Sequence, residues 1–166
     1  MLRLAVLAIC VVGYTQAYQN DWDGPHNFQC RHGEYVTSVH SVHDNRREDR
    51  RWQLGCGGNE ASGSCRWSVY ANSWDGPLHH LCPHNMVVAG VSSYHNNRKE
   101  DRLFKFRCCA LAGKTITNCY LTNWVNYWDA PMNFQVPPGR AITGAHSVHD
   151  NRREDRRWKF NVCDIQ

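Results

Sequence analysis

The chain has 166 residues, with 19 Lys or Arg against 15 Asp or Glu, a formal charge of +4 and 10 histidines. This mild excess is far from the polycationic composition of a nucleic-acid binder. The N-terminal apolar run Leu4–Val12 is too short to span a bilayer, and no later stretch approaches the roughly 20 apolar residues that a membrane-spanning helix needs.

In chain order, Met1–Ala17 reads as a secretory signal: Arg3 is the basic start, Leu4–Val12 the apolar run, and Thr15-Gln16-Ala17 a small-residue cleavage site. No C-terminal lipid or retention signal is expected, since the chain stops at Asp164-Ile165-Gln166. Removing residues 1–17 takes away Arg3 alone and leaves 18 basic against 15 acidic residues, a charge of about +3. The expectation is a secreted, extracellular protein of one domain, residues 18–166, large enough for a real core.

Within it, the segment HSVHDNRREDRRW occurs identically at His40–Trp52 and His146–Trp158, and a degraded copy lies at Ser92–Phe104. Each copy follows a Trp-Asp-(Gly/Ala)-Pro turn, beginning at Trp22, Trp74 and Trp128. One supersecondary unit is therefore expected three times, at about 18–60, 61–113 and 114–166. Each unit predicts about four short strands. One follows the Trp turn (Asn27–Cys30), and one spans Val36–Val42, Val88–Tyr94 or Ile142–Val148. Small residues in the latter (Ser38, Gly90, Gly144) indicate a bulge or a close backbone contact. The polar stretch Asp44–Asp49 is a hairpin loop, with Asn45 suited to the turn. The returning strand alternates Trp52, Leu54 and Cys56 with Arg51, Gln53 and Gly55, which is period two with one buried face. A further strand is expected over Arg66–Ala71 and Tyr120–Val125. The fold class that follows is all-β, a single disulfide-stapled domain in pseudo-threefold arrangement, as a trefoil-like barrel or a β-prism.

Eight cysteines remain once Cys10 leaves with the signal, an even number that implies disulfides in a secreted chain. Measured from each unit's Trp, Cys30 and Cys82 fall at +8 and Cys56 and Cys108 at +34. Cys65 and Cys119 fall at −9, and Cys109 and Cys163 at +35. The third unit has Val136 and Val162 at +8 and +34, losing both members of one pair together. The economical pairing is Cys30–Cys56, Cys82–Cys108, Cys65–Cys109 and Cys119–Cys163, although the adjacent Cys108 and Cys109 leave their partners open to exchange.

Within the charged loops, Arg50, Arg102 and Arg156 are in phase with the buried Trp52, Phe104 and Trp158. They are expected to face inward, each paired with a carboxylate such as Asp49, Asp101 or Asp155 and holding its hairpin. The ligand candidates are the outward positions, Asp44, Asn45, Arg46, Arg47 and Arg51 in the first loop and Asp150, Asn151, Arg152, Arg153 and Arg157 in the third. Arg offers planar bidentate donors to sulfate or carboxylate, Asp and Asn accept from sugar hydroxyls, and a neighbouring Trp or Tyr gives an apolar face. The competing reading is a solvated loop. The second copy has drifted (Asn96 for Asp44, Leu103 for Arg51), so two competent sites are expected, enough for avidity.

His40-Ser-Val-His43 and His146-Ser-Val-His149 do not read as a zinc site, because strand residues three apart point to opposite faces. No Ser/His/Asp order, phosphate loop or paired-carboxylate pocket stands out, so neither a cofactor nor enzymatic activity is expected.

The Asp-Arg-x-Trp-x-Phe element at Asp155–Phe160, its counterparts at Asp49–Leu54 and Asp101–Phe106, and the doubled Cys108-Cys109 resemble the signature of the dermatopontin family over essentially the whole mature chain. The resemblance implies a secreted, disulfide-bonded protein without enzymatic activity. It implies matrix and adhesion roles as in vertebrate members, or those of invertebrate agglutinins, aggregation factors, shell-matrix proteins and a cytotoxin. The chain lacks the acidic, tyrosine-rich N-terminal segment of the vertebrate pattern, which favours an invertebrate-type agglutinin. The expected partners are sulfated or acidic glycans and proteoglycans, with collagen, cell-surface glycoconjugates and self-association as further candidates and no nucleic acid. A structural matrix or biomineral protein without a discrete glycan site is the first alternative, and a venom cytotoxin the second.

Overall fold

The computed structural model describes residues 17–166, so all of the expected signal segment but Ala17 lies outside the described residues. Eleven strands and no helix are found among them. Their order is β1 (His26–Gln29), β2 (Gly33–Asp44), β3 (Asp49–Ala61), β4 (Cys65–Trp67), β5 (Leu78–Leu81), β6 (Met86–Asn96), β7 (Asp101–Ala110), β8 (Ile116–Leu121), β9 (Met132–Gln135), β10 (Arg140–Asp150) and β11 (Asp155–Ile165).

Three long hairpins, β2–β3, β6–β7 and β10–β11, carry the three copies of the charged segment at their tips. The short strand after each Trp turn does not join the hairpin that follows it. Instead β1 pairs with β6, β5 with β10, and β9 with β2, so each third of the chain lends a strand to the next and the last lends one to the first. The sheets run β1-β6-β7-β4, β5-β10-β11-β8 and β3-β2-β9.

The strand alternation of the sequence places one residue of each pair on a common core. Trp52, Phe104 and Trp158, one from each hairpin, meet edge to face with ring centroids 4.9 to 5.8 Å apart. Burying a large apolar side chain in this way contributes about 1.5–3 kcal/mol, and edge-to-face aromatic pairs add to it. Leu54, Phe106 and Phe160 pack beside them. Opposite Ser147 and Ser41 the core takes Leu78 and Met132, whereas opposite Ser93 it takes His26, which is fully buried. The ladder slips between Val36 and Ser38, Val88 and Gly90, and Ile142 and Gly144. At Gly144 a Cβ would collide with the carbonyl oxygen of His80, so the bulge requires glycine where β5 comes close.

Four disulfides join Cys30 to Cys56, Cys65 to Cys109, Cys82 to Cys108 and Cys119 to Cys163. The fourth strand of each unit departs from expectation. It ends at Trp67 in β4 and runs over Ile116–Leu121 in β8, and the segments after it reach the neighbouring strand only through isolated bonds such as Ser68 N–H to Phe106 O and Ala71 N–H to Phe104 O.

Candidate functional site

The Trp-Asp-(Gly/Ala)-Pro turn is tied to the hairpin by an asparagine two residues before its Trp. The Asn126 side-chain oxygen accepts from the Trp158 backbone N–H at 2.9 Å, and its amide donates to the Arg156 carbonyl at 2.9 Å. Asn20 and Asn72 make the same bonds to Trp52 and Arg50 and to Phe104 and Arg102. The turn aspartates Asp23, Asp75 and Asp129 have φ of 58–59°, and the backbone N–H of each donates to a buried carboxylate of the hairpin, Asp49, Asp101 or Asp155, at 2.8–2.9 Å.

Those buried carboxylates are then taken by arginines of another hairpin. Arg102 donates two hydrogen bonds to Asp49, Arg156 two to Asp101, and Arg50 two to Asp155, each pair at 2.6 and 2.7 Å. Inward arginines paired with a carboxylate such as Asp49, Asp101 or Asp155 were expected, and the structure adds that each partner comes from another hairpin. The offset of adjacent tips around the core brings each guanidinium to its neighbour's carboxylate, and the three pairs close a ring. Each Arg also reaches a carbonyl of a Trp turn, Gly24, Gly76 or Ala130.

Above this ring the three tips adjoin at one end of the molecule. His43, His95 and His149 have side chains 1% exposed, and Glu48, Glu100 and Glu154 line the same central cavity. Each glutamate has φ of 43–48°, a left-handed conformation that costs a non-glycine residue about 1–2 kcal/mol. Burial raises the carboxyls of Glu100 and Glu154; the nearby His95 and His149 act against that shift, and neighbouring carboxylates add to it.

The residues expected to bind ligand divide into three sets. Asp44 and Asp150 cap their turns, accepting from the backbone N–H groups of Arg46 and Arg47 and of Arg152 and Arg153 at 2.8–3.1 Å. The bond from Arg46 is the main reason the Asp44 carboxyl sits below its ordinary pKa. Asn45 and Asn151 accept from the rings of His43 and His149 at 2.9 Å, so they too belong to the tip's scaffold. Arg46, Arg47, Arg152 and Arg153 are exposed. Arg47 approaches Asp23 at 3.9 Å and Arg153 approaches Asp129 at 3.2 Å.

Two grooves run between adjacent tips. One is lined by Trp22, Asp23, Arg46, Arg47, Asn97 and Glu100, and the other by Asn45, Glu48, Asp129, Asp150, Arg152 and Arg153. The loops are thus not independent sites; each groove is shared by two of them. Arg51 and Arg157 line neither groove. The Arg51 guanidinium lies 4.4 Å from the Tyr18 ring and 4.6 Å from the Trp22 ring, and that of Arg157 lies 4.6 Å from Trp124.

Three clusters group metal-ligating atoms within 4.8 Å of one another: Asp23, Asp49 and His95; Asp75, Asp101 and His149; and His43, Asp129 and Asp155. In each, the inner carboxylate is already held by an arginine whose charge opposes a cation, so the donors make an ion-pair network. The sulfurs near His80 belong to the Cys82–Cys108 disulfide. Sequence reasoning missed the turn aspartates, the tip glutamates and the three asparagines. Their signal was recurrence at equal offsets from each Trp.

Residues 20–166 match the family model described as Dermatopontin. The chain is 40% identical over 165 residues to a hemagglutinin/amebocyte aggregation factor of Limulus polyphemus, covering 98% of this chain and 96% of that one. It is 44% identical over 147 residues to a dermatopontin of Biomphalaria glabrata, covering 89% and 99%. To Millepora cytotoxin-1 of Millepora dichotoma it is 37% identical over 145 residues, covering 87% and 65%. No solved structure matches the chain. A match across nearly every described residue, on a scaffold whose signature Asp-Arg pairs lock the three hairpins together, establishes that the chain belongs to the dermatopontin family.

Proposed function

We propose that the protein is a secreted, non-enzymatic adhesion protein of agglutinin type that binds sulfated or carboxylated glycans where its hairpin tips meet. The observation that carries this reading is the pair of grooves in which exposed arginines from one tip face polar groups of the next. Arg46 and Arg47 share a groove with Trp22, Asn97 and Glu100, and Arg152 and Arg153 share one with Asn45 and Glu48. Guanidinium forks match sulfate and carboxylate, the carboxylate and amide oxygens accept from sugar hydroxyls, and Trp22 offers a flat apolar surface. Similarity to a hemagglutinin and aggregation factor over almost the whole chain supports the same reading.

The test is calorimetric titration of a heparin oligosaccharide into the wild type and into a variant with Arg46, Arg47, Arg152 and Arg153 all changed to Ala. Wild-type binding should weaken steeply from low to physiological salt, because these contacts are exposed and screened. The variant should lose most of the salt-dependent affinity while unfolding at the same denaturant concentration. Unchanged affinity in the variant, or binding indifferent to salt, overturns the reading.

A further inference from the structure

We infer that the outer face of the β5-β10-β11-β8 sheet is a second binding site for a sulfated or carboxylated saccharide, distinct from the tip grooves. It rests on the reading above for the class of ligand alone. The register puts His79 opposite His146 and His146 opposite Lys159, three basic or titratable side chains in one row across three strands. The His79 and His146 rings lie 4.2 Å apart. The row continues into Trp124, whose ring centroid is 4.7 Å from the Lys159 ammonium and 4.6 Å from the Arg157 guanidinium, and which keeps 38% of its surface exposed.

The other two sheets lack this row. At the same register the β3-β2-β9 sheet has Asn133, His40 and Gln53, and the β1-β6-β7-β4 sheet has Asn27, Ser92 and Lys105. A cation over an exposed ring recurs, as Lys105 over Tyr70 and Arg51 over Tyr18, so the shared unit supplies that part of the site, and the His79–His146 pair is what specialises this face.

No acid neutralises it from within its own third of the chain. Asp129 is held by Arg153, Asp155 by Arg50, Asp164 by Arg140 and Glu154 faces His149, while Asp150 caps its turn. Partial burial, and then the charges of His79 and Lys159, depress the pKa of His146. Two fixed cations and a pair of imidazoles beside an exposed indole are the chemistry that takes an anionic sugar ring, the ligand's charge meeting Lys159 and Arg157, the imidazole N–H groups donating to its oxygens and taking up protons as it binds, and the apolar ring face meeting Trp124.

The placement also bears on bridging. All three tips adjoin at one end, so the tip grooves present a single surface, and a site on the side wall lets one copy hold two chains at once.

The test combines calorimetry and NMR, titrating a short heparin oligosaccharide into the wild type, a His146→Asn/Lys159→Ala variant and the four-arginine tip variant. The lateral variant should lose one class of sites, with that component weakened about tenfold. In the wild type the ligand should shift the Trp124 indole and Lys159 signals and raise the His146 titration midpoint. Unchanged stoichiometry and affinity in the lateral variant, or no wild-type shift at His146 and Trp124, overturns the inference. If the tip reading alone fails, the tip variant binds like the wild type and the lateral variant loses its binding. If the lateral reading alone fails, the pattern reverses.

Discussion

Arg50 and Asp155 stand 105 positions apart in the chain, yet two hydrogen bonds of 2.6 and 2.7 Å join them with both side chains almost wholly buried. Removing one partner leaves the other's charge without compensation. Asp155→Asn is therefore expected to lower stability by about 3–5 kcal/mol, as read from urea unfolding. Replacing both, as Arg50→Met with Asp155→Leu, should cost less than the single change, since no lone charge remains. A single-variant loss under about 1 kcal/mol would show that the ring adds no stability.

His26 sets an acid limit on the fold. Burial, and secondarily the charge of Arg102, holds its pKa down to about 4 against an ordinary 6.5. The unfolded chain takes up the proton first as pH falls, so the stability is complete above pH 6.5 and is lost progressively down to about pH 4. At about 1.4 kcal/mol per pH step the loss is roughly 3 kcal/mol. His26→Leu, which copies Leu78, should remove that part of the pH dependence; melting curves at pH 7 and pH 4.5 for both proteins check it. An unaltered slope in the variant would assign the acid sensitivity to other groups.

The first and third thirds of the chain solve one packing problem in two ways. The Cys30–Cys56 disulfide of the first has its counterpart in Val136 and Val162, which are buried in the third. Changing Cys30 and Cys56 together to Val should preserve the core and forfeit only the constraint on the unfolded chain, roughly 3 kcal/mol for a loop of this length. Differential scanning calorimetry should show a lower melting temperature with a cooperative transition. A broad transition would mean that the disulfide also holds the core in shape.

Asn126→Ala leaves the Trp158 N–H and the Arg156 carbonyl buried without their side-chain partner. The expected loss is about 1–3 kcal/mol. Amide exchange should rise at Trp158 in particular, whereas a uniform rise over the whole chain would point to global weakening and not to a lost local bond.

Much of this fold was legible along the chain. Period-two alternation marked Trp52, Leu54 and Cys56 as one face, because strand geometry leaves no other reading, and the small residues Ser38, Gly90 and Gly144 marked the positions where the ladder slips. Arg50 was legible as inward but its partner was not. Phase on a strand fixes the face of a side chain and says nothing about which hairpin stands opposite. The same limit hid the grooves, which exist only between tips remote in sequence. Arg51 and Arg157 were legible as outward, but the rings that enclose them come from turns about thirty residues earlier.

The strand lent by each third to the next has a consequence for synthesis. The first hairpin lacks an edge until Met132–Gln135 arrives to lie against Ser38–Ser41. A ribosome-bound chain that has released only its first two thirds thus carries an open ladder at β2, and the architecture closes after nearly everything has been translated. Shortening the protein from the C-terminus should consequently abolish the native state outright, with no stable two-thirds molecule surviving.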